Sequence, residues 1–321
     1  MVPSERLVDL SPHDLLQVFL YNLNLITCVC ILLRLLKNIR TMIPSSLMSD
    51  PAAKIVVVIP AYNEAATIRE LTKRVLQIVP DVVVVDDGSA DATSEQLAGL
   101  PLVLVRNERN LGKAASLWKG FEHALARGAQ FVVTLDGDGQ HRPEDIHRLL
   151  NLAERSPQCI VVGARLHDKK NFPPSRYYAN QFARFWISWA AGYPIADTQS
   201  GFRVYPASLF TVLARRDVAW NGFVFESEIL IAAGELGVRS VAVAIPGIYP
   251  KVARASHFRP VADIARIVAM VAGRLLRRGM NPAGLWRSLN LPMAIEIGPD
   301  LAAISGSGLA DAVAEKAPPI H

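Results

Sequence analysis

Cysteine is scarce in this 321-residue chain: only Cys28, Cys30 and Cys159 are present. Two of them share one apolar run, and none has the spacing of a zinc site or a disulfide framework. A reducing, cytosol-facing environment is therefore the default. Net charge is also modest, at +5. That suits an acidic partner such as a phosphorylated substrate, an anionic lipid or nucleic acid, without choosing among them. No internal repeat is evident. Nucleic-acid binding is not expected, because the arginines cluster near one terminal helix without interleaved aromatics. With 51% hydrophobic residues the chain is not disordered, and it can bury one large core or two modest ones.

The longest apolar stretch is LLQVFLYNLNLITCVCILLRLL, residues 15–36. It nearly reaches the roughly 20 apolar residues that cross a bilayer, but Gln17, Asn22 and Asn24 interrupt it. No small-residue cleavage site follows, so a signal peptide is not expected. Arg34, Lys37 and Arg40 would hold that flank in the cytoplasm if the segment inserted. Two readings stay open for residues 1–44: a membrane-inserted or in-plane helix, and a helix buried in or docked on a soluble partner.

Past a Pro/Ser-rich linker at 45–54, short β-branched runs alternate with helical stretches. Strands are expected at 55–60, 81–89, 102–107, 131–139 and 160–165, with amphipathic helices between them. Beyond residue 160 the alternation loosens into an aromatic helix around YYANQFARFWISWAAG, a strand-like IADTQSGFRVY, a helix in FVFESEILIAAGELG and a last strand in VRSVAVAIPGIYP. Such alternation implies an α/β fold with a mostly parallel sheet covered on both faces. One domain is expected over 55–260. A basic amphipathic segment follows at 261–290, with Arg266, Arg274, Arg277 and Arg278, and is read as lying in a membrane interface or packing on the domain. Residues 291–321 read as a flexible tail.

Ligands of such sheets bind beyond the carboxyl ends of the strands, at a topological switch point. Three expected strand ends carry polar groups: AYNE after the first, DDGS after the second and DGDGQH after the fourth. In the last, Asp136 and Asp138 can place one oxygen on a divalent metal and another on a ribose or a metal-bound water. Oxygen ligands of this kind suit magnesium or manganese bound together with a diphosphate. Asp and Gly also favour simple turns, but acid at two strand ends and AYNE at a third outweigh that account.

Together IPAYNEAATI, VVVDDGSADAT, NLGKAASLWKGF, LDGDGQHRPEDI, GAR, DTQSGFRVY and ASHFRP resemble the family 2 glycosyltransferases, and within them the dolichyl- or polyprenyl-phosphate sugar synthases. The resemblance runs from residue 55 to about 270. It implies a GT-A fold, a Rossmann-like nucleotide half continuous with an acceptor half, and inverting transfer of a sugar from a nucleoside-diphosphate sugar. It further implies Mg2+ or Mn2+, a polyprenyl phosphate acceptor and action at the cytoplasmic face of a membrane, and it is compatible with a separate membrane subunit.

By the same resemblance, Pro60, Tyr62 and Glu64 contact base and ribose, and Val85, Asp86 and Asp87 read the base. Asp136, Gly137 and Asp138 form the DxD motif, with Asp138 and Gln140 as metal ligands beside Asp136. Arg165 and Lys251 fall at basic positions near the donor diphosphate or acceptor phosphate, where cations stabilise the charge that develops. One departure stands out: where dolichyl-phosphate mannose synthases have Ser-Lys, this chain has Ser256-His257, then Phe258-Arg259, so Arg259 is the residue that would supply the cation.

For DTQSGFRVY two readings stand. Arg203 either faces the lipid phosphate or is paired with Asp197 or Glu226 to hold two halves together. Of Glu226 and Glu228, the former is expected to face the site and the latter solvent. A phosphomonoester acceptor is anionic near neutral pH and needs no general base; for a hydroxyl acceptor, Asp197 or Glu226 would serve. His141 is expected to support the metal ligands or start the next helix rather than to ligate. Besides the polyprenyl phosphate reading, two others remain: a saccharide or diacylglycerol hydroxyl as acceptor, and a nucleotide-sugar-binding scaffold without turnover.

Overall fold

The computed structural model describes residues 53–165, 174–213, 225–246 and 260–296. The apolar segment at 15–36, Lys251, His257, Arg259 and the tail from 297 onward lie outside the described residues. The elements follow in chain order as β1 (Ile55–Ala61), α1 (Ile68–Leu76), β2 (Val82–Asp86), α2 (Thr93–Gln96), β3 (Val103–Arg106), α3 (Lys113–Ala126), β4 (Phe131–Thr134), α4 (Ile146–Arg155) and β5 (Ile160–Arg165). The second half adds α5 (Pro174–Ala191), β6 (Arg203–Pro206), α6 (Ala207–Leu213), α7 (Phe225–Glu235), β7 (Ser240–Ile245), α8 (Pro260–Arg277), α9 (Pro282–Asn290) and β8 (Ile295–Glu296).

One eight-stranded sheet carries them in the order β3-β2-β1-β4-β6-β5-β7-β8. Every described strand pair is parallel except those of β6, which runs antiparallel to both β4 and β5. The sheet is thus mostly parallel, as strand alternating with helix requires. Its central strands are buried on both faces, which is why they read as unbroken apolar runs. In β1, Val56 and Val58 point into one core with Phe121, Tyr205, Phe210 and Phe225. Val57 and Ile59 point into the opposite core with Ile68, Leu71, Val75, Ile146 and Leu149. Each such fully buried aliphatic side chain contributes roughly 1.5–3 kcal/mol relative to an exposed one.

Two strands end well short of their expected spans. β2 stops at Asp86 and β4 at Thr134, because the acids that follow bend the chain instead of extending it. The stretch from 195 to 202 is also not strand: the Asp197 carboxylate accepts the backbone N–H groups of Gln199 and Ser200 at 2.9 and 3.0 Å, closing a local turn that competes with sheet pairing. Conversely, residues 295–296 leave the expected tail and extend the sheet, with Ala242 opposite Ile295.

Strand order decides where the site lies. The β2, β1 and β4 ends lie side by side, and the order switches between β1 and β4. Because β6 runs the other way, with Arg203 opposite both Thr134 and Val162, the loop entering it arrives where β4 and β5 leave. Residues 135–141, 165 and 197–202 are thereby collected at one mouth.

Helix α3 rides on β1 so closely that a Cβ on Gly120 would lie 2.2 Å from Val58 Cγ1. Gly120→Ala is expected to destabilise the fold by about 1–3 kcal/mol through overpacking. Combining it with Val58→Ala should cost less than the two changes added together, because the clash is then relieved. Urea unfolding of the two single variants and the double measures this, and strict additivity would refute the contact.

Candidate active site

The first two strand-end loops are clasped together. Backbone N–H groups of Asn63, Glu64 and Ala65 donate to Ser89 Oγ, Thr93 Oγ1 and Asp91 Oδ2 at 2.9, 2.8 and 3.2 Å. In return Asn63, at φ 56°, accepts the Ala90 N–H on its side-chain oxygen at 2.9 Å. Asp86 is wholly buried; it accepts the Ser89 N–H at 2.9 Å and the Ser94 hydroxyl, and it lies 3.6 Å from Arg106. Its carboxylate is committed to holding the turn.

Asp87 works one step further into the site. It accepts Asn107 Nδ2 at 2.7 Å and the backbone N–H groups of Leu111 and Gly112 at 2.9 and 2.8 Å. Those amides sit just before α3, where unpaired N–H groups and the helix dipole favour a carboxylate. The first residue of α3 is Lys113, so Asp87 fixes where that lysine starts. The Lys113 ammonium bridges Asp136 Oδ1 at 2.7 Å and Glu226 Oε1 at 2.6 Å.

The antiparallel strand supplies the other wall. Thr134 donates its hydroxyl to the Gly201 carbonyl at 2.7 Å, drawing that loop against the β4 end. A Cβ on Gly201 would stand 2.5 Å from Asp136 Oδ2, so only glycine leaves room for the carboxylate. Arg165, at the β5 end, pairs through Nε with Asp197 Oδ2 at 3.3 Å. Thr67 donates to the Gly137 carbonyl at 2.8 Å and ties the DGDG turn to the approach of α1.

Charge is unevenly compensated across this mouth. Burial alone would raise the Asp136 pKa, but Lys113, with His141 and Arg165 beyond it, outweighs burial and holds the carboxyl below its usual range. Burial would likewise lower the Lys113 pKa; the carboxylates of Asp136 and Glu226 override it and keep the amine charged. Asp138 is different. Burial and the neighbouring Asp136 push its pKa up, and its Oδ1 accepts only the Gln140 N–H, at 3.0 Å. Burial also pushes His141 down to about 4, which keeps it neutral near pH 7, with Nδ1 unpartnered and the ring 5.3 Å from that of Phe202.

Among the described residues at this mouth the acids Glu64, Asp136, Asp138, Asp197 and Glu226 outnumber the bases Lys113 and Arg165. This donor set fits a divalent cation held by oxygen. No group of three or more His, Cys, Asp or Glu side chains among the described residues could hold a metal by itself. A cation here would need further oxygens from a bound phosphate, the usual arrangement for magnesium with one or two carboxylates.

Of the expected site residues, Tyr62, Glu64, Asp136, Gly137, Asp138, Gln140 and Asp197 lie on the converging loops at this mouth, Pro60 and Arg165 at the ends of β1 and β5, and Glu226 at the start of α7. Val85, Asp86 and Asp87 are buried beneath it. Arg203 sits differently from the reading in which it faces an acceptor phosphate. It is fully buried, donating to the carbonyls of Glu226 at 2.7 Å and Thr198 at 3.2 Å. Here it braces α7 against the β6 loop, since a guanidinium can bridge two backbone carbonyls at once. Glu228 is buried rather than solvated: α8 covers it and brings Arg274 within 3.4 Å. Lys113 and Gly201 went unassigned from the sequence. The only signal for either was its place in a motif, NLGKAASLWKGF or DTQSGFRVY.

Fold and site together define an α/β protein that gathers acid, a bridging lysine and an arginine at a strand switch. The family model for "Glycosyl transferase family 2" matches residues 56–221, just over half of the chain. The protein belongs to that family and is a glycosyltransferase. It is 29% identical to the UDP-N-acetylglucosamine--dolichyl-phosphate N-acetylglucosaminyltransferase of Methanococcus voltae, over 50% of this chain and 73% of that protein. It is 28% identical to the polyprenol monophosphomannose synthase of Mycolicibacterium smegmatis, over 61% and 77%. It is 29% identical to the undecaprenyl-phosphate mannosyltransferase of Micrococcus luteus, over 60% and 82%. Glucosyl-3-phosphoglycerate synthase of Mycobacterium tuberculosis, solved with phosphoglyceric acid, superposes with a TM-score of 0.51 at 21% identity, covering 71% of this chain and 80% of that one. A second crystal structure of that enzyme holds Mn2+, UDP-glucose and phosphoglyceric acid; its TM-score is 0.50 at 22% identity, with the same coverage. The likeness establishes the GT-A type of sheet.

Gly201→Ala should displace the Asp136 carboxylate and lower the affinity for Mn2+ with a nucleoside diphosphate about tenfold or more; because Gly201 is buried beside Phe202, the fold of the variant is checked first. Calorimetric titration of a folded variant, checked by circular dichroism and run with whichever of UDP or GDP the wild type binds, reads this; an unchanged affinity would disprove the role of the close approach.

Proposed function

We propose that the protein is a metal-dependent, inverting glycosyltransferase that moves a sugar from a nucleoside-diphosphate sugar to a polyprenyl phosphate at the cytoplasmic face of a membrane. The observation that carries this reading is the predominance of carboxylates over cations among the described residues at the mouth shared by β1, β4, β5 and the β6 loop, with Asp136 and Asp138 on one short turn. Asp138 and Gln140, with Asp136 beside them, would hold Mg2+ or Mn2+. Bound there, the cation would neutralise the departing diphosphate. Pro60, Tyr62 and Glu64 on one side, with the turn held by Asp86 and Asp87, form the nucleotide wall. Arg165 presents positive charge opposite, oriented by Asp197. Lys251, His257 and Arg259, outside the described residues, are assigned by the resemblance to the phosphates. A phosphate acceptor attacks without a general base, so Glu226 need not serve as one. The relatives whose printed names specify dolichyl-, polyprenol or undecaprenyl-phosphate substrates favour this acceptor over a hydroxyl.

The membrane part of the proposal rests on a surface. On α5, Tyr178, Phe182 and Phe185 recur at helical spacing and are 65, 59 and 39% exposed. Trp286 and Leu289 of α9, each 62% exposed, and Leu276 of α8, 70% exposed, add to the apolar area on helices that pack on α5, while Arg266, Arg277 and Arg278 lie exposed along α8. No described helix is long and apolar enough to cross a membrane. Aromatics with adjacent arginines suit the headgroup region of an anionic bilayer.

Two experiments test these parts separately. Purified protein with Mn2+ or Mg2+, a panel of UDP- and GDP-sugars and a short-chain polyprenyl phosphate should yield free nucleotide and a glycolipid with one donor, identified by mass spectrometry. Asp138→Asn should cut that turnover about 100-fold or more while leaving the fold intact. Nucleotide release without a glycolipid would move the acceptor to a hydroxyl compound. In vesicle flotation, Phe182→Ala with Trp286→Ala should weaken partition onto anionic bilayers about tenfold or more; equal partition would remove this face from the membrane contact.

A further inference from the structure

Lys113 forms ion pairs with both a member of the DGDG motif and the start of α7. Its ammonium lies 2.7 Å from Asp136 and 2.6 Å from Glu226, closer than any other cation among the described residues comes to either carboxylate. Its backbone is anchored, because it opens α3 and the α3 start is held by the Asp87 carboxylate through the amides of Leu111 and Gly112, so the ammonium works from a fixed base. Asp136 in turn cannot move toward the β6 loop, where Gly201 packs against both of its oxygens. The lysine's anchor and the carboxylate are therefore both fixed, and the ammonium spans the gap between them. A hard divalent cation seeks carboxylate oxygens of just this kind, and two cations on one carboxylate repel each other strongly in a half-buried setting.

We infer that Lys113 competes with the metal for Asp136, so that the metal binds firmly only when a diphosphate arrives with it and gives the ammonium a new anion to bind. The inference rests on the metal-dependent reading above and deepens it. The lysine acts as the site's internal counter-ion, preventing the acidic loop from capturing divalent cations without substrate. A diphosphate changes the balance twice over: it brings oxygens that complete the metal's shell, and it brings negative charge within reach of Lys113. Metal and donor should then bind cooperatively, and the coupling should depend on this one residue.

The test measures Mn2+ binding, by the electron paramagnetic resonance signal of the free ion, for the wild type, Lys113→Gln and Lys113→Arg, each with and without UDP. Without UDP, Lys113→Gln should bind Mn2+ about tenfold or more tighter than the wild type, and Lys113→Arg should stay within a few-fold of it. UDP should tighten Mn2+ binding markedly in the wild type and much less in Lys113→Gln. Because removing a bridging ammonium leaves two carboxylates facing each other, the double variant Lys113→Gln/Glu226→Gln is measured alongside. It frees Asp136 without that repulsion and should also exceed the wild type in Mn2+ affinity. Equal or weaker Mn2+ binding by both Gln variants would overturn the inference while leaving the metal reading intact, provided the wild type binds Mn2+ with UDP. If the wild type binds no Mn2+ with either UDP or GDP, the metal-dependent reading falls, and the inference with it; if only GDP promotes binding, the same comparisons are made with GDP.

Discussion

The Lys113 bridge between Asp136 and Glu226 is the constraint on which the site depends. It joins the acidic motif after β4 to α7 in the second half of the chain, and it does so with charge in a half-buried place. Ion pairs of this kind owe their value less to net stability than to position, because desolvation offsets much of their attraction. What they provide here is register. Removing either partner leaves a charge uncompensated, so the two halves have one relative placement at the mouth that satisfies all three groups. Arg203, buried beneath, reinforces that placement by binding the Glu226 carbonyl from the β6 side.

The same network explains why the two acids of one short motif behave differently. Asp136 has a cation at hand and stays ionised easily; Asp138 sits beside that charge with only a backbone amide to bind, and its pKa rises. A carboxyl held at this disadvantage gains most from an arriving cation. Buried neutral His141 adds no competing charge. Burial and spacing thus divide the labour between two chemically identical side chains, as in other sites where environment drives paired carboxylates apart.

Much of this was legible in the chain's pattern. Apolar runs with helices between them predict a doubly covered sheet, and DDGS and DGDGQH at strand ends point to the carboxyl edge. Their lengths were overread where acid turned the chain, at Asp86 and after Thr134. Local hydrogen bonding by Asp, as at Asp197, produces turns inside stretches that look like strand. The solvent-facing expectation for Glu228 failed because its burial depends on α8, a helix more than thirty residues further along the chain.

Sequence alone determined the elements, the family and the acidic strand ends, because these follow from local periodicity and from short motifs whose residues lie together in the chain. Tertiary structure alone decided the partners. Lys113, Asp136 and Glu226 meet only because Asp87 sets the start of α3 and β6 runs antiparallel beside β4. Gly201 matters only because that strand reversal carries it under the Asp136 carboxylate. A pairing between residues separated by tens of positions is a property of strand order and helix placement, which no window of the sequence contains.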